Sequence, residues 1–344
     1  MKQKENFVEK VRKFISLLSD SKKITIVSHV NPDGDAIGST TGFKYFLESN
    51  AIHASVVVPN KYPQFLGFLD DKGEVVVFKD NEAAATELIE SSDLIICMDF
   101  NSLKRIEELG TVIENCSARR VLIDHHLQPE TCFDIIFSDP QASSTCEVAY
   151  YLIRDMVKEN PAFEPLNLKS GISLYTGLMT DTNNFANSVR PQTFNMACEL
   201  LECGVDKEDV QFKVFSGFRE ERMRMMGYML YENMKIFPEH KAGFMLITKE
   251  LKEKFNFQDG DSEGFVNLAL NISGVEVSGL FTESDGFVKV SLRSKGDFSV
   301  NKLSRAFFNG GGHARAAGGK IFIPTEDVLE YFLRSLDEYR HTIC

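Results

Sequence analysis

Four short runs of acids and imidazoles carry the chemistry that this sequence offers. His29, Asp33 and Asp35 fall within seven residues, HVNPDGD, in a stretch that continues to Gly38. Pro32 and Gly34 shape a tight loop, and Gly38 permits a neighbouring helix to approach closely. One glycine separates the two aspartates, so a single loop can address two different metal ions, although an Asp-Gly-Asp turn alone is more often a capping or turn element. Asp99 follows the apolar run LIICM; in isolation it reads best as an N-cap for the segment beginning near Ser102. Asp124-His125-His126 follows a second apolar run. Adjacent imidazoles point in different directions, so one can ligate a metal while the other faces a substrate, and the aspartate can orient a ring through its remaining nitrogen. Asp181, in LMTDTNNF, carries little information by itself. The specificity lies in the set. His29, Asp33, Asp35, Asp99, His125 and Asp181 make a mixed oxygen and nitrogen donor set that suits two divalent ions about 3.5–4 Å apart, the arrangement that hydrolyses phosphate esters. Two Mn2+ are expected, with Mg2+, Co2+ or Zn2+ as alternatives.

The elements that must position these residues follow from the apolar spacing. Ile24 to Ser28, Ala54 to Val58, Val75 to Phe78, Leu94 to Met98 and Arg120 to Ile123 read as strands separated by helical spacing. That alternation predicts an α/β fold, a doubly wound and mostly parallel sheet whose ligands collect at the carboxyl ends of the strands. Three of the four clusters stand at such ends. Helices are expected over Ser143 to Lys158, Leu166 to Thr180 and Gln192 to Cys203, the last stopped by Gly204. The stretch from Phe218 to Met234 reads as a helical connector, with an amphipathic packing helix of one larger domain as the alternative. A strand near Phe244 to Ile247 and a hairpin, Val275 to Glu283 and Gly286 to Ser294, then predict a smaller α+β domain. The expected division is a catalytic domain over 1–215, a helical linker over 216–240 and a substrate-binding domain over 241–344.

Composition limits the partners. The chain has 344 residues, enough for about two domains, and its formal charge of −12 argues against a broad basic face for long duplex nucleic acid. The amino terminus is charged throughout, the longest apolar runs are strand-sized, and the seven cysteines lack finger spacing. A cytoplasmic protein with reduced thiols and no membrane partner is expected.

On these motifs the sequence resembles the DHH phosphoesterase family, named for the triplet at 124–126, and GGGHARAAGG at 310–319 resembles the glycine-rich signature of the DHHA1 domain. The resemblance implies that one ion is held by His29, Asp33 and Asp99 and the other by Asp35, Asp99, His125 and Asp181, with Asp99 bridging. It makes Asp99 and His126 the catalytic pair, His126 facing the phosphate, and leaves Asp124 behind the ligands. Arg293, in VKVSLRSK, resembles the family arginine that grips a substrate phosphate; its bland alternative is an exposed edge-strand charge. Gly310, Gly311, Gly312 and His313 would bind an anion through backbone N–H groups and a ring, against the alternative of a tight turn.

Among family members, RecJ-like proteins usually carry additional nucleic-acid-binding domains, and the family II pyrophosphatases carry a different second domain with a Ser-Arg-Lys motif where SLRSK and GGGH stand here. The resemblance therefore points to the bifunctional oligoribonuclease and pAp phosphatases, which hydrolyse short oligoribonucleotides to mononucleotides or 3′-phosphoadenosine 5′-phosphate to AMP. A soluble cyclic-di-AMP or pApA phosphodiesterase is the alternative. A non-catalytic nucleotide-binding module is the reading from another class, disfavoured because none of the family's metal ligands is missing. The expected partner is a small nucleotide or very short RNA, with a homodimer admissible.

Overall fold

The computed structural model describes residues 2–343, which form two compact units dividing after Gly217. In the first unit, strands β1 (Ile24–Val27), β2 (Ala54–Val58), β3 (Val76–Val77), β4 (Leu94–Met98), β5 (Arg119–Asp124) and β6 (Ile135–Ser138) form one sheet in the order β3-β2-β1-β4-β5-β6. Every pairing in it is parallel. The expected doubly wound sheet is therefore present, with β6 added at the edge.

The sheet is buried on both faces, and this is why its strands read as continuous apolar runs. All five residues of β4 are fully buried. Leu94, Ile96 and Met98 join a core with residues of α1 (Lys2–Asp20), α2 (Gly34–Ser49), α5 (Thr145–Glu159) and α6 (Leu168–Asp181), whereas Ile95 and Cys97 join the opposite core with α3 (Glu82–Glu90) and α4 (Glu108–Asn115). The chain runs outward from β1 to β3 and returns to β4 on the other side of β1. Sheets of this order open a crevice at the carboxyl ends of the two strands flanking the reversal. His29 and Asp99 follow those two strand ends.

Gly38 carries the close crossing of α2 on α6: a Cβ there would lie 2.5 Å from the Ser173 carbonyl oxygen and 2.9 Å from the Gly177 nitrogen. Helix starts differ from expectation by a residue or two for local reasons. Ser143 and Ser144 stay outside α5, because the Ser144 hydroxyl accepts the Glu147 amide at 3.0 Å as an N-cap. Helix α7 (Pro191–Glu202) starts on a proline at its first turn, where no amide is needed. Helix α8 (Lys207–Phe215) completes the unit.

The second unit contains a mixed sheet ordered β11-β12-β10-β9-β8-β7, built from β7 (Lys235–Phe237), β8 (Ala242–Ile247), β9 (Val277–Ser284), β10 (Phe287–Ser294), β11 (Gly311–Gly312) and β12 (Ala316–Ile321). Strands β9 and β10 are the expected hairpin, turning on Asp285-Gly286. Phe244, Val277, Phe281 and Leu292 face one core with α12 (Val300–Phe307) and α13 (Val328–Ile343). Met245, Ile247 and Leu280 face another with α9 (Glu220–Tyr228), α10 (Lys249–Lys254) and α11 (Phe265–Leu268). The stretch expected to connect domains is helical over α9 and a π-helical turn at Met229–Asn233, and it is built into this unit: Met225 and Met229 are fully buried in that second core. Its end supplies the edge strand β7 rather than more linker.

No helix among the described residues is long and apolar enough to cross a membrane, and every described cysteine is free.

Candidate metal centre

The strand ends and the starts of α2 and α5 bring the sequence-derived donors of the first unit together. Two groups of donor atoms, each within 4.8 Å of one another, share one member: His29, Asp33 and Asp99 form the first, and Asp35, Asp99 and His125 the second. The N-cap reading of Asp99 does not hold, because Ser102 caps the following turn through its own hydroxyl at 3.2 Å from the Lys104 amide. Asp99 instead turns inward with φ +64°, a left-handed conformation that Asp tolerates better than most residues. Its Oδ2 stands 3.2 Å from His29 Nε2, and its Oδ1 accepts the Thr145 hydroxyl at 3.0 Å.

His29 Nδ1 lies 2.8 Å from the Val30 carbonyl, so this nitrogen carries the proton and Nε2 presents a lone pair to Asp99. Two acceptors at 3.2 Å require a proton or a cation between them. Asp33 caps α2, accepting the amides of Asp35 and Ala36 at 3.0 and 3.1 Å, and the same oxygen lies 4.0 Å from His29 Nε2. Both its turn role and its place beside the imidazole are thus realised.

His125 Nε2 faces three carboxylates: Asp181 Oδ2 at 3.6 Å, Asp99 Oδ1 at 3.7 Å and Asp35 Oδ2 at 3.8 Å. Donors about 2.1 Å from a shared ion stand about 3–3.5 Å apart, so a small contraction around a cation satisfies this spacing. His126 behaves differently. Its Nδ1 donates to Asp124 Oδ1 at 2.7 Å, and its ring stands at 76° to that of His125. The ring that Asp124 holds is thus that of the third residue of the triplet; its other oxygen is buried without a hydrogen bond among the described residues.

The electrostatics show a cluster short of positive charge. Burial, then the charges of Asp35 and Asp33, push the Asp99 carboxyl well above its usual range, and burial also raises Asp35. At His125 burial opposes the proton, but Asp181, Asp35 and Asp99 overcome it and lift the imidazole to about 9. His29 and His126 are pushed down, chiefly by burial. Buried carboxylates without compensation are expensive, and divalent cations are the usual remedy. Cys146 lies beside Asp35, but its Sγ donates to the Asp35 backbone carbonyl at 3.8 Å and it belongs to none of the donor groups among the described residues. The donors are oxygen and nitrogen only, and they fit two hard-to-borderline divalent ions.

Sequence reasoning missed the amino-terminal end of α5. Asp35 accepts the Thr145 amide at 2.6 Å and the Cys146 amide at 2.9 Å, so the positive end of that helix holds one of the acids in place. The cap signature Ser144-Thr145-Cys146-Glu147 was the available signal.

In the second unit, Arg293 lies on β10, between β9 and β12 and paired with Ser278 and Ala316, so the edge-strand alternative fails. Gly311 and Gly312 form β11 against β12. The Gly310 amide donates to the Ser304 carbonyl at 3.3 Å and the His313 amide to the Ala316 carbonyl at 2.7 Å, so these two amides are engaged inside the unit. The first glycine answers a close approach as well: a Cβ on Gly310 would collide with the Gly318 carbonyl.

The chain is similar to known proteins along most of its length. Residues 23–177 match the model of the DHH family, N-terminal domain, and residues 243–341 match the DHHA1 domain. The bifunctional oligoribonuclease and PAP phosphatase NrnA of Bacillus subtilis is 28% identical over 87% of this chain and 89% of its own length; the protein of the same name from Thermus thermophilus is 30% identical over 87% and 84%. The crystal structure of an exopolyphosphatase-related protein from Bacteroides fragilis superimposes with a TM-score of 0.89 at 38% identity, covering 96% of each chain. With both domain models in order and relatives matched along most of their length, the chain belongs to the DHH family.

Proposed function

We propose that this chain is a two-metal phosphoesterase of small nucleotides, hydrolysing short oligoribonucleotides to mononucleotides and 3′-phosphoadenosine 5′-phosphate to AMP. The observation that carries the reading is Asp99, a buried carboxylate whose two oxygens serve two separate donor groups. His29, Asp33 and Asp99 would hold one ion, and Asp35, Asp99, His125 and Asp181 the other, with manganese the first choice. When bound, the ions supply neutralisation of phosphoryl charge and acidification of the attacking water. The chain's own residues do the rest. Asp35 and Asp99 are fixed by α5, so the donors need little reorganisation when a substrate arrives. Asp124 fixes the ring of His126, which faces the phosphate with its other nitrogen. Arg293, Gly311, Gly312 and His313 recognise the nucleotide's phosphates. The two relatives named as oligoribonuclease and PAP phosphatase support the substrate class.

The test is product analysis of purified, manganese-loaded protein on 3′-phosphoadenosine 5′-phosphate, pApA, cyclic-di-AMP, a short RNA and pyrophosphate. AMP from the first two and mononucleotides from the RNA are expected. Preferential turnover of cyclic-di-AMP would move the chain to the alternative activity, and nucleotide binding without turnover would make it a binding module.

A further inference from the structure

Arg105 sits in the short helical turn Leu103–Ile106, just beyond Asp99. The segment that carries it is held by two neighbouring strand-end loops, those after β1 and β5. The Arg105 carbonyl accepts the amide of Val30, the residue after His29, at 3.1 Å. Asn101 donates to the carbonyl of Leu127, the residue after His126, at 2.7 Å. Glu130 accepts the Ser102 hydroxyl at 2.7 Å and the Leu103 amide at 3.1 Å. Leu103 and Ile106 are buried in the core against α3 and α4. The turn is therefore pinned at the same sheet edge as the donor cluster, and it cannot swing away without breaking all of these contacts.

The side chain contrasts with this fixed backbone. It is half-buried, yet among the described residues its guanidinium makes no hydrogen bond and no ion pair. The neighbouring acid Glu107 is engaged by Lys79 at 3.1 Å. A planar fork of five donors with no acceptor, carried on a turn tied to the loops that follow His29 and His126, matches a tetrahedral dianion that offers two oxygens at once.

We propose that Arg105 is a substrate-binding residue of this centre, its guanidinium taking two oxygens of the phosphoryl group presented to the donor cluster. The inference rests on the phosphoesterase reading above and adds a phosphate contact supplied by the first unit itself, independent of Arg293. Because the contact is a bidentate one, charge alone replaces it incompletely.

Arg105→Ala and Arg105→Lys test it, with three readouts on manganese-loaded protein: kcat and KM on 3′-phosphoadenosine 5′-phosphate, metal content by elemental analysis, and the calorimetric Kd of inorganic phosphate. The alanine variant is expected to lose about 100- to 1,000-fold in kcat/KM and at least about tenfold in phosphate affinity, with metal content unchanged. Lysine should recover about tenfold of the kcat/KM loss. A loss under about threefold in both kcat/KM and Kd would overturn the contact, and metal loss in step with activity would make Arg105 a prop of the cluster. If the wild-type protein hydrolyses no phosphate ester, the phosphoesterase reading fails, and phosphate calorimetry on wild type against Arg105→Ala still decides the anion contact.

Discussion

Replacing Asp99 by asparagine should separate activity from folding. The carboxylate stands 3.2 Å from His29 Nε2 and 3.7 Å from His125 Nε2, so it belongs to both donor groups. An amide of the same shape keeps the Thr145 contact and tolerates the left-handed backbone, since asparagine is among the residues most at ease there. It removes a charged ligand from two ions together. If that costs several kcal/mol of phosphoryl charge stabilisation, at about 1.36 kcal/mol per factor of ten, kcat falls by roughly three powers of ten or more. The metal-free protein should respond in the opposite sense. An acid whose folded pKa is raised binds its proton more tightly folded than unfolded, so ionising it costs stability once the pH exceeds the unfolded value, and fully above the folded one. At neutral pH the neutral amide relieves that cost. Metal-free Asp99→Asn should melt no lower than the metal-free wild type, while added manganese should raise Tm in the wild type far more than in the variant. Turnover above about a tenth of wild type with two ions still bound would refute the shared-ligand reasoning.

His125→Ala should lose metal because three carboxylates converge on its Nε2, whereas His126→Ala should keep two ions per chain and lose turnover; elemental analysis showing equal metal loss would mean that the two imidazoles are exchanged. Arg293→Ala and His313→Ala should each lower kcat/KM on the nucleotide by about two to three powers of ten if those contacts are desolvated, and affect bis-p-nitrophenyl phosphate far less. Equal losses on both substrates would contradict a recognition role. Gly38→Ala should destabilise the first unit by about 1–3 kcal/mol, because its Cβ would press on the backbone of α6; an unchanged Tm would contradict that crossing.

The parts legible in sequence were those with a strong local signal. A fully buried parallel strand announces itself as an unbroken apolar run, so β4 and the acid that follows it could be found directly. Strand β6 could not, since its four residues alternate between buried and half-buried at the sheet edge. The stretch around Met225 and Met229 looked like a connector because charges interrupt its methionines, and only the second sheet shows what those methionines pack against. At the centre, residue types and strand ends pointed to residues that the fold brings together, but not to what orients them. Thr145 gave no chemical signal; it matters because α5 delivers its amide to Asp35 and its hydroxyl to Asp99, a relation between positions more than a hundred residues apart for the first and 46 for the second. Arg105 escaped notice for the same reason, since one arginine in NSLKRIEEL is ordinary until two neighbouring loops are seen to pin the turn that carries it.

Anomalous diffraction from manganese-loaded crystals tests the shared-carboxylate centre most directly. Two peaks about 3.5–4 Å apart are predicted, one beside His29 and Asp33, the other beside Asp35, His125 and Asp181, with the Asp99 carboxylate between them. A single peak, or two peaks neither of which Asp99 touches, would contradict the account.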